Sequence, residues 1–230
     1  MTSGIPETAD QRASPGDLSR LRVNEIFLSL QGESRSVGLP TVFVRLTGCP
    51  LRCGYCDTAY AFHEGKGMTL DDITAQVAAQ GVRHVTVTGG EPLAQRPCTM
   101  LLTRLSDAGC EVSLETSGAV DIGGVDPRVR IVMDIKTPGS GEVERNLSAN
   151  LAFLKRTDEV KFVICDRADY EWSRAFVQRE RLAERCDVLF SPVHGRLVPR
   201  ELADWIVADK LPVRFQLQLH KLLWGEERGR

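Results

Sequence analysis

The sequence predicts an α/β protein, a partial, open β/α barrel of about six parallel strands with a further strand added at each end. Three observations predict it. Short runs rich in Val, Ile, Leu and Phe recur along the chain, as buried strands do. Helical patterns lie between many of them, and strand alternating with helix implies a parallel sheet with right-handed crossovers. Polar and glycine-rich segments follow several of the strands, which is where a β/α barrel builds its site.

The elements follow in chain order. Met1–Ser19 is rich in Ser, Pro, Gly and Asp and lacks the apolar stretch of a signal peptide. It reads as a flexible leader, bounded at residue 22, and residues 23–230 as one domain. Val23–Gln31 alternates like an added strand. Thr41–Leu46, His84–Thr88, Glu111–Glu115, Arg130–Ile135, Lys161–Cys165 and Asp187–Ser191 are the barrel strands. Thr69 with Asp72 resembles an N-cap and its acidic third residue, and Ile73, Val77 and Ala78 make an apolar helical face behind it. Cys98–Ala108 and Glu201–Asp209 are further helices. Tyr170–Arg185 is charged, with apolar residues at helical intervals, and reads as an exposed helix. Gly139–Gly141 is a local loop. Arg214–His220 alternates again and reads as a closing strand.

Composition excludes some functions. The net charge of −2 gives no bulk electrostatic footprint for nucleic acid. No apolar run is long enough to span a bilayer, and a cytoplasmic location is the expectation. Seven cysteines is an odd count, and Cys49, Cys53 and Cys56 cluster within eight residues. A metal site in a reducing compartment explains this better than a disulfide framework. Cys98, Cys110, Cys165 and Cys186 are isolated and read as buried free thiols.

The cluster spacing is C-x3-C-x2-C, on the loop after the first barrel strand. Structural zinc generally takes four ligands, and a fourth from His63 or a distant cysteine would satisfy it. A cubane of four irons, each wanting an outer ligand, would instead keep one iron open. An open iron can bind and reduce a ligand.

This segment, Thr47-Gly48-Cys49-Pro50-Leu51-Arg52-Cys53-Gly54-Tyr55-Cys56, resembles the signature of the radical S-adenosylmethionine superfamily. Tyr55 before the third cysteine fits it. Gly89-Gly90-Glu91-Pro92, after the second barrel strand, resembles the motif that contacts the cofactor's amino group. The resemblance implies a [4Fe-4S] cluster on Cys49, Cys53 and Cys56 whose open iron chelates S-adenosylmethionine. One electron then breaks a carbon–sulfur bond, giving a 5′-deoxyadenosyl radical that abstracts hydrogen from substrate.

The chain is similar, more narrowly, to the 7-carboxy-7-deazaguanine synthase family of queuosine biosynthesis, over nearly all of its length after residue 22. Ile26–Ser34, Thr41–Cys49, Cys56-Asp57-Thr58 and Gln218-Leu219-His220-Lys221 carry the likeness. It implies a radical ring contraction of 6-carboxy-5,6,7,8-tetrahydropterin to 7-carboxy-7-deazaguanine with loss of ammonia. It also implies assistance by Mg²⁺, a homodimer, and a flavodoxin or ferredoxin as electron donor. Leu30, Gln31, Gly32, Glu33, Arg45, Thr88 and His220 are then substrate-binding, and Thr58 is the Mg²⁺ ligand. Tyr55, Gly89, Gly90, Glu91, Glu115, Ser117, Lys136 and Ser191 are cofactor-binding.

The chemistry of these residues suits the roles. Gln31 can bond an amide edge, Glu33 can accept from N–H groups, and Arg45 can grip a carboxylate in two prongs. Thr58 offers a hard oxygen of the kind Mg²⁺ takes. Read alone, Arg45 can also be a structural ion pair, Thr58 a loop or capping residue, His220 an ordinary strand histidine and Gln31-Gly32-Glu33 a plain turn. Leu222–Arg230 extends past the closing strand, and in some family members the C-terminus closes over substrate. Two other readings share part of the pattern. An activase for a glycyl-radical enzyme would use the cysteines and the glycine pair on a protein partner, and a zinc-stapled binding module would use the cysteines alone.

Overall fold

Nine strands form one continuous sheet in the computed structural model, which describes residues 19–230. β1 (Arg20–Leu30) runs antiparallel to β2 (Pro40–Leu46), with Leu30 opposite Pro40 and a bulge between Val23 and Glu25. β3 (Lys66–Thr69), which the sequence pattern does not reveal, pairs antiparallel with the other side of β1. From β2 onward every pairing is parallel, through β4 (His84–Gly89), β5 (Glu111–Thr116), β6 (Arg130–Asp134), β7 (Glu159–Ile164), β8 (Asp187–Pro192) and β9 (Arg214–Phe215). The sheet stays open, with β3 and β9 as its edges.

The strands are Val-, Ile- and Leu-rich because both faces are covered, as parallel strands require. Val85, Thr86, Val87 and Thr88 of β4 are all buried. The helices supply the outer cover. α1 (Leu70–Ala78) starts at Thr69, whose hydroxyl accepts from Asp72 N–H at 3.0 Å and donates to the Asp72 carboxylate at 2.7 Å. Leu70, Ile73 and Val77 face inward, while Ala78 is exposed. α2 (Cys98–Asp107) buries Leu101, Leu102 and Leu105. α3 (Arg167–Arg179) is capped by Asp166 and α4 (Pro199–Asp209) begins with proline at its first turn. Among the described residues, no helix is long and apolar enough to cross a membrane.

Three expectations need correction. The exposed helix Tyr170–Arg185 is α3, three residues earlier at its start and ending at Arg179. It buries Tyr170, Ser173, Phe176 and Val177, because Tyr170 packs edge-on to Phe190 and against Trp205. The closing strand Arg214–His220 is reduced to Arg214–Phe215. Its partner β8 ends at Pro192, and the chain turns instead into α5 (Leu219–Trp224). The sheet begins at Arg20, with Leu21 buried, so the last residues of the expected leader belong to β1. Residues 1–18 lie outside the described residues.

Two connections shape the interior. The loop after β1 closes the N-terminal end of the barrel. Arg35 N–H donates to Glu159 at 2.8 Å and its guanidinium to Asp187 at 2.7 Å, the first residues of β7 and β8. α5 crosses the open side of the sheet. It follows β9, and Leu219 N–H donates to Gly32 C=O at 3.0 Å while Lys221 pairs with Asp57 at 3.3 Å.

Candidate active site

A cavity of about 300 Å³ runs through the barrel interior, from the loop after β2 to the loop after β1. Cys49, Cys53 and Cys56 line its C-terminal end. Their loop is seated by backbone bonds. Gly48 N–H donates to Ala61 C=O at 2.8 Å, Glu91 N–H to Gly48 C=O at 2.8 Å, and Gly54 N–H to Ser140 C=O at 3.0 Å. The glycine pair permits this close approach. Gly89 has φ +147°, and a Cβ on Gly90 would lie 2.2 Å from the Gly48 oxygen.

All seven cysteines are free. Burial pushes the thiols of Cys49 and Cys53 up in pKa, while the Lys136 ammonium pulls both back. Leu51 N–H also points at Cys49 Sγ, 3.5 Å away. Amide donors and a cation facing sulfur are what an electron-rich iron–sulfur centre needs. Among the described residues, no group of three or more His, Cys, Asp or Glu converges on the position of a single metal ion. His63, the alternative zinc ligand, is exposed and does not line the cavity. The three thiols line one end of one cavity, where a shared cluster would contact all of them.

Among the described residues, two buried polar atoms at this end have no protein partner: the Tyr55 hydroxyl and Asp134 Oδ1. Burial raises the Tyr55 pKa, so its hydroxyl stays a donor. Tyr55 and Asp134 both line the cavity. A donor and an acceptor left open in one cavity suit a ligand that carries hydroxyl and amine groups, as S-adenosylmethionine does. Lys136, almost wholly enclosed, pairs with Asp134 Oδ2 at 2.8 Å. Burial alone would lower its pKa, but Asp134 outweighs that and keeps it charged.

The middle and far end hold the expected substrate residues. Gln31 Nε2 donates to Thr86 Oγ1 at 3.0 Å and to Glu115 Oε1 at 3.4 Å. Thr88 Oγ1 donates to Glu115 Oε2 at 2.8 Å. Glu115, expected at the cofactor, is therefore bonded to two of the expected substrate residues. Arg45 Nε donates to Glu25 Oε1 at 2.7 Å, and Tyr60 OH donates to the same oxygen at 2.9 Å. Arg45 is thus an ion pair and a cavity wall at once, with its guanidinium 5.7 Å from the Phe27 ring centroid. Leu30, Gly32, Glu33, Thr58 and His220 also line the cavity. His220 reaches it from α5 rather than from a strand, its ring packed against Gly32. Thr58 Oγ1 lies 3.9 Å from Cys56 Sγ.

Two expected cofactor residues do not face the cavity. Glu91 is fully enclosed, and its carboxylate accepts from Thr116 Oγ1 at 2.9 Å, Ser117 N–H at 2.7 Å and Leu93 N–H at 2.9 Å. It straps the end of β4 to that of β5. Ser191 lies buried within β8 opposite Val163, and the cavity is lined instead by Val193 and His194 just beyond it. Ser117 and Gly89 do line it. Sequence reasoning missed Lys161, Asp134, Glu25 and Tyr60. For Lys161, Asp134 and Glu25 the only signal was a charged residue inside an apolar strand, which is costly unless it is paired, and Tyr60, on a turn, gave none.

Comparison with known proteins points one way. A family model described as the Radical SAM superfamily matches residues 43–135. The 7-carboxy-7-deazaguanine synthase of Chlorobaculum tepidum is 45% identical over 210 residues, covering 90% of this chain and 96% of its own. That of Koribacter versatilis is 42% identical over 224 residues, covering 90% of this chain and 98% of its own. The crystal structure of QueE from Escherichia coli superposes with a TM-score of 0.71 at 25% identity, covering 87% of this chain and 95% of that one.

Proposed function

This chain belongs to the 7-carboxy-7-deazaguanine synthase family of the radical S-adenosylmethionine superfamily, and on that premise we propose how its cavity divides the work. Its activity is 7-carboxy-7-deazaguanine synthase, in queuosine biosynthesis, and the family brings an iron–sulfur cluster and S-adenosylmethionine. The proposed substrate is 6-carboxy-5,6,7,8-tetrahydropterin, contracted with loss of ammonia.

Cys49, Cys53 and Cys56 are the ligands that would hold the cluster, with Lys136 and the Leu51 N–H balancing its charge. When bound, cluster and cofactor supply one-electron chemistry that takes a hydrogen atom from the substrate. The chain's own residues do the rest. The glycine pair brings backbone to the cofactor's end of the cavity, and the open Tyr55 hydroxyl and Asp134 oxygen receive its polar groups. Gln31 and Glu33 offer an acceptor and donor set to the flat edge of a pterin. Arg45, gripped through Nε by Glu25, turns its terminal nitrogens toward a carboxylate. Thr88, Glu115 and His220 complete the wall around the ring. Thr58 is the proposed protein ligand for Mg²⁺, whose other oxygens would come from substrate and water. A homodimer and a flavodoxin or ferredoxin donor complete the proposal.

One observation carries this reading: a single cavity joins the three cysteines to Gln31, Glu33, Arg45 and Thr88. The test is an anaerobic assay of reconstituted protein with S-adenosylmethionine, reductant, Mg²⁺ and the pterin, read by mass spectrometry. 7-Carboxy-7-deazaguanine should form, and should be lost in Cys53→Ala. Formation of 5′-deoxyadenosine alone would keep the radical chemistry and remove the substrate assignment.

A further inference from the structure

Lys161 sits on β7 between the core residues Val160 and Phe162, yet its side chain enters the cavity. Its ammonium lies 2.7 Å from Glu33 Oε2, joining residues 128 apart in sequence. Both side chains are largely enclosed. Glu33 Oε1 takes no hydrogen bond from the described residues.

A buried lysine is costly unless paired, and an apolar residue of similar size often serves stability as well. The loop that carries Glu33 does not need this latch. It is already fastened by Arg35 to Asp187 and Glu159, by Gln31 to Thr86, and by Arg130 to Ser36 at 2.8 Å. What the pair adds is orientation. It fixes one oxygen of Glu33, a residue that lines the cavity, and leaves the other free of that bond.

We infer that Lys161 is a positioning residue for substrate, holding Glu33 as an aimed carboxylate that accepts from the N–H edge of a nitrogen heterocycle. This rests on the pterin reading above. The surroundings make the cation necessary. Glu115 on β5, Asp134 on β6 and Asp57 in the cysteine loop add negative charge around the pair, Lys136 adds positive charge beside Asp134, and His220 from α5 packs against Gly32. Burial alone would lower the pKa of Lys161, but Glu33, Asp134 and Glu115 outweigh it, so the ammonium persists. Without that ammonium, Glu33 loses the partner that fixes its orientation among these carboxylates.

The test is calorimetric binding of 6-carboxy-5,6,7,8-tetrahydropterin to reconstituted holoenzyme with S-adenosylmethionine and no reductant, so that nothing turns over. Lys161→Met should weaken pterin binding by roughly 10- to 100-fold, the worth of a charge-assisted bond. Lys161→Arg should recover most of the affinity. Lys161→Met combined with Glu33→Gln should bind no worse than Glu33→Gln alone, because Lys161 acts through Glu33. This uncharged double variant carries the test if Lys161→Met alone does not fold. Wild-type affinity in Lys161→Met, no recovery in Lys161→Arg, or a double variant weaker than Glu33→Gln overturns the inference. A wild-type protein that binds S-adenosylmethionine but no pterin would instead remove the substrate reading.

Discussion

A Cβ on Gly90 would meet the Gly48 oxygen at 2.2 Å and Cys49 Cβ at 2.6 Å, and backbone cannot yield as a long side chain can. Gly90→Ala should therefore displace the cysteine loop. The expected outcome is loss of the brown colour after anaerobic reconstitution, with far-UV circular dichroism close to wild type. Arg45 behaves differently. Its Nε is committed to Glu25 and its plane lies between Phe27 and Tyr60. A lysine has its three donors on one nitrogen, so it cannot hold Glu25 and also present a planar two-pronged fork to a carboxylate. Arg45→Lys should raise KM for the pterin about tenfold or more while the cluster spectrum stays unchanged. The identity of both residues was legible in the sequence. The pairing of Arg45 with Glu25 was not, because the partner comes from the antiparallel strand beside it.

Elements are tied together by buried carboxylates. Glu91 joins β4 to β5 through three hydrogen-bonded residues. Glu91→Gln keeps the shape but loses acceptor capacity, leaving a buried N–H or hydroxyl unmet. It should lower stability by about 1–3 kcal/mol in urea unfolding of the apoprotein, a stability effect that a residue used only to touch the cofactor would not show. Asp187 joins β8 to the loop after β1. Its bond to Arg35 lowers its pKa below the ordinary 3.8. A lowered carboxylate pKa adds stability above the unfolded value, and the addition is lost as pH falls through the folded one. Asp187→Asn should cost up to about 1 kcal/mol at neutral pH, the pair being partly exposed. The gap in melting temperature between variant and wild type should close as pH falls below 3.8.

Across the whole molecule, the open sheet leaves a gap that α5 and the residues after it cover. Gly225 to Arg230 line the cavity, with Arg228 3.8 Å from the Tyr60 ring centroid and 3.2 Å from Glu64. The sheet itself does not depend on them. A chain ending at Trp224 should keep its melting temperature within the error of a scan. Its KM for the pterin should rise about two- to fivefold, the worth of a cation–π contact at a partly exposed site. The same arrangement explains why Arg214–His220 misled. Its alternation is a local signal, and whether it becomes a strand depends on a neighbour. Phe215 pairs with Phe190, and beyond it the chain leaves β8 for α5, where Leu219 N–H is taken by Gly32 C=O.

The sequence by itself determined the parallel strands, the capped first helix and the cysteine triad with its glycine pair. Each of these is written in local order: apolar runs, a cap three residues from its acid, ligands four and three residues apart. Only the tertiary structure decided that Lys161 meets Glu33, that Glu115 belongs with Gln31 and Thr88, that Glu91 is a strap, and that His220 arrives on a helix. These are contacts between distant segments, made when the barrel closes its lower end with one loop and its open side with α5. A charge inside an apolar strand announces that a partner exists, but the chain must fold before the partner has a name.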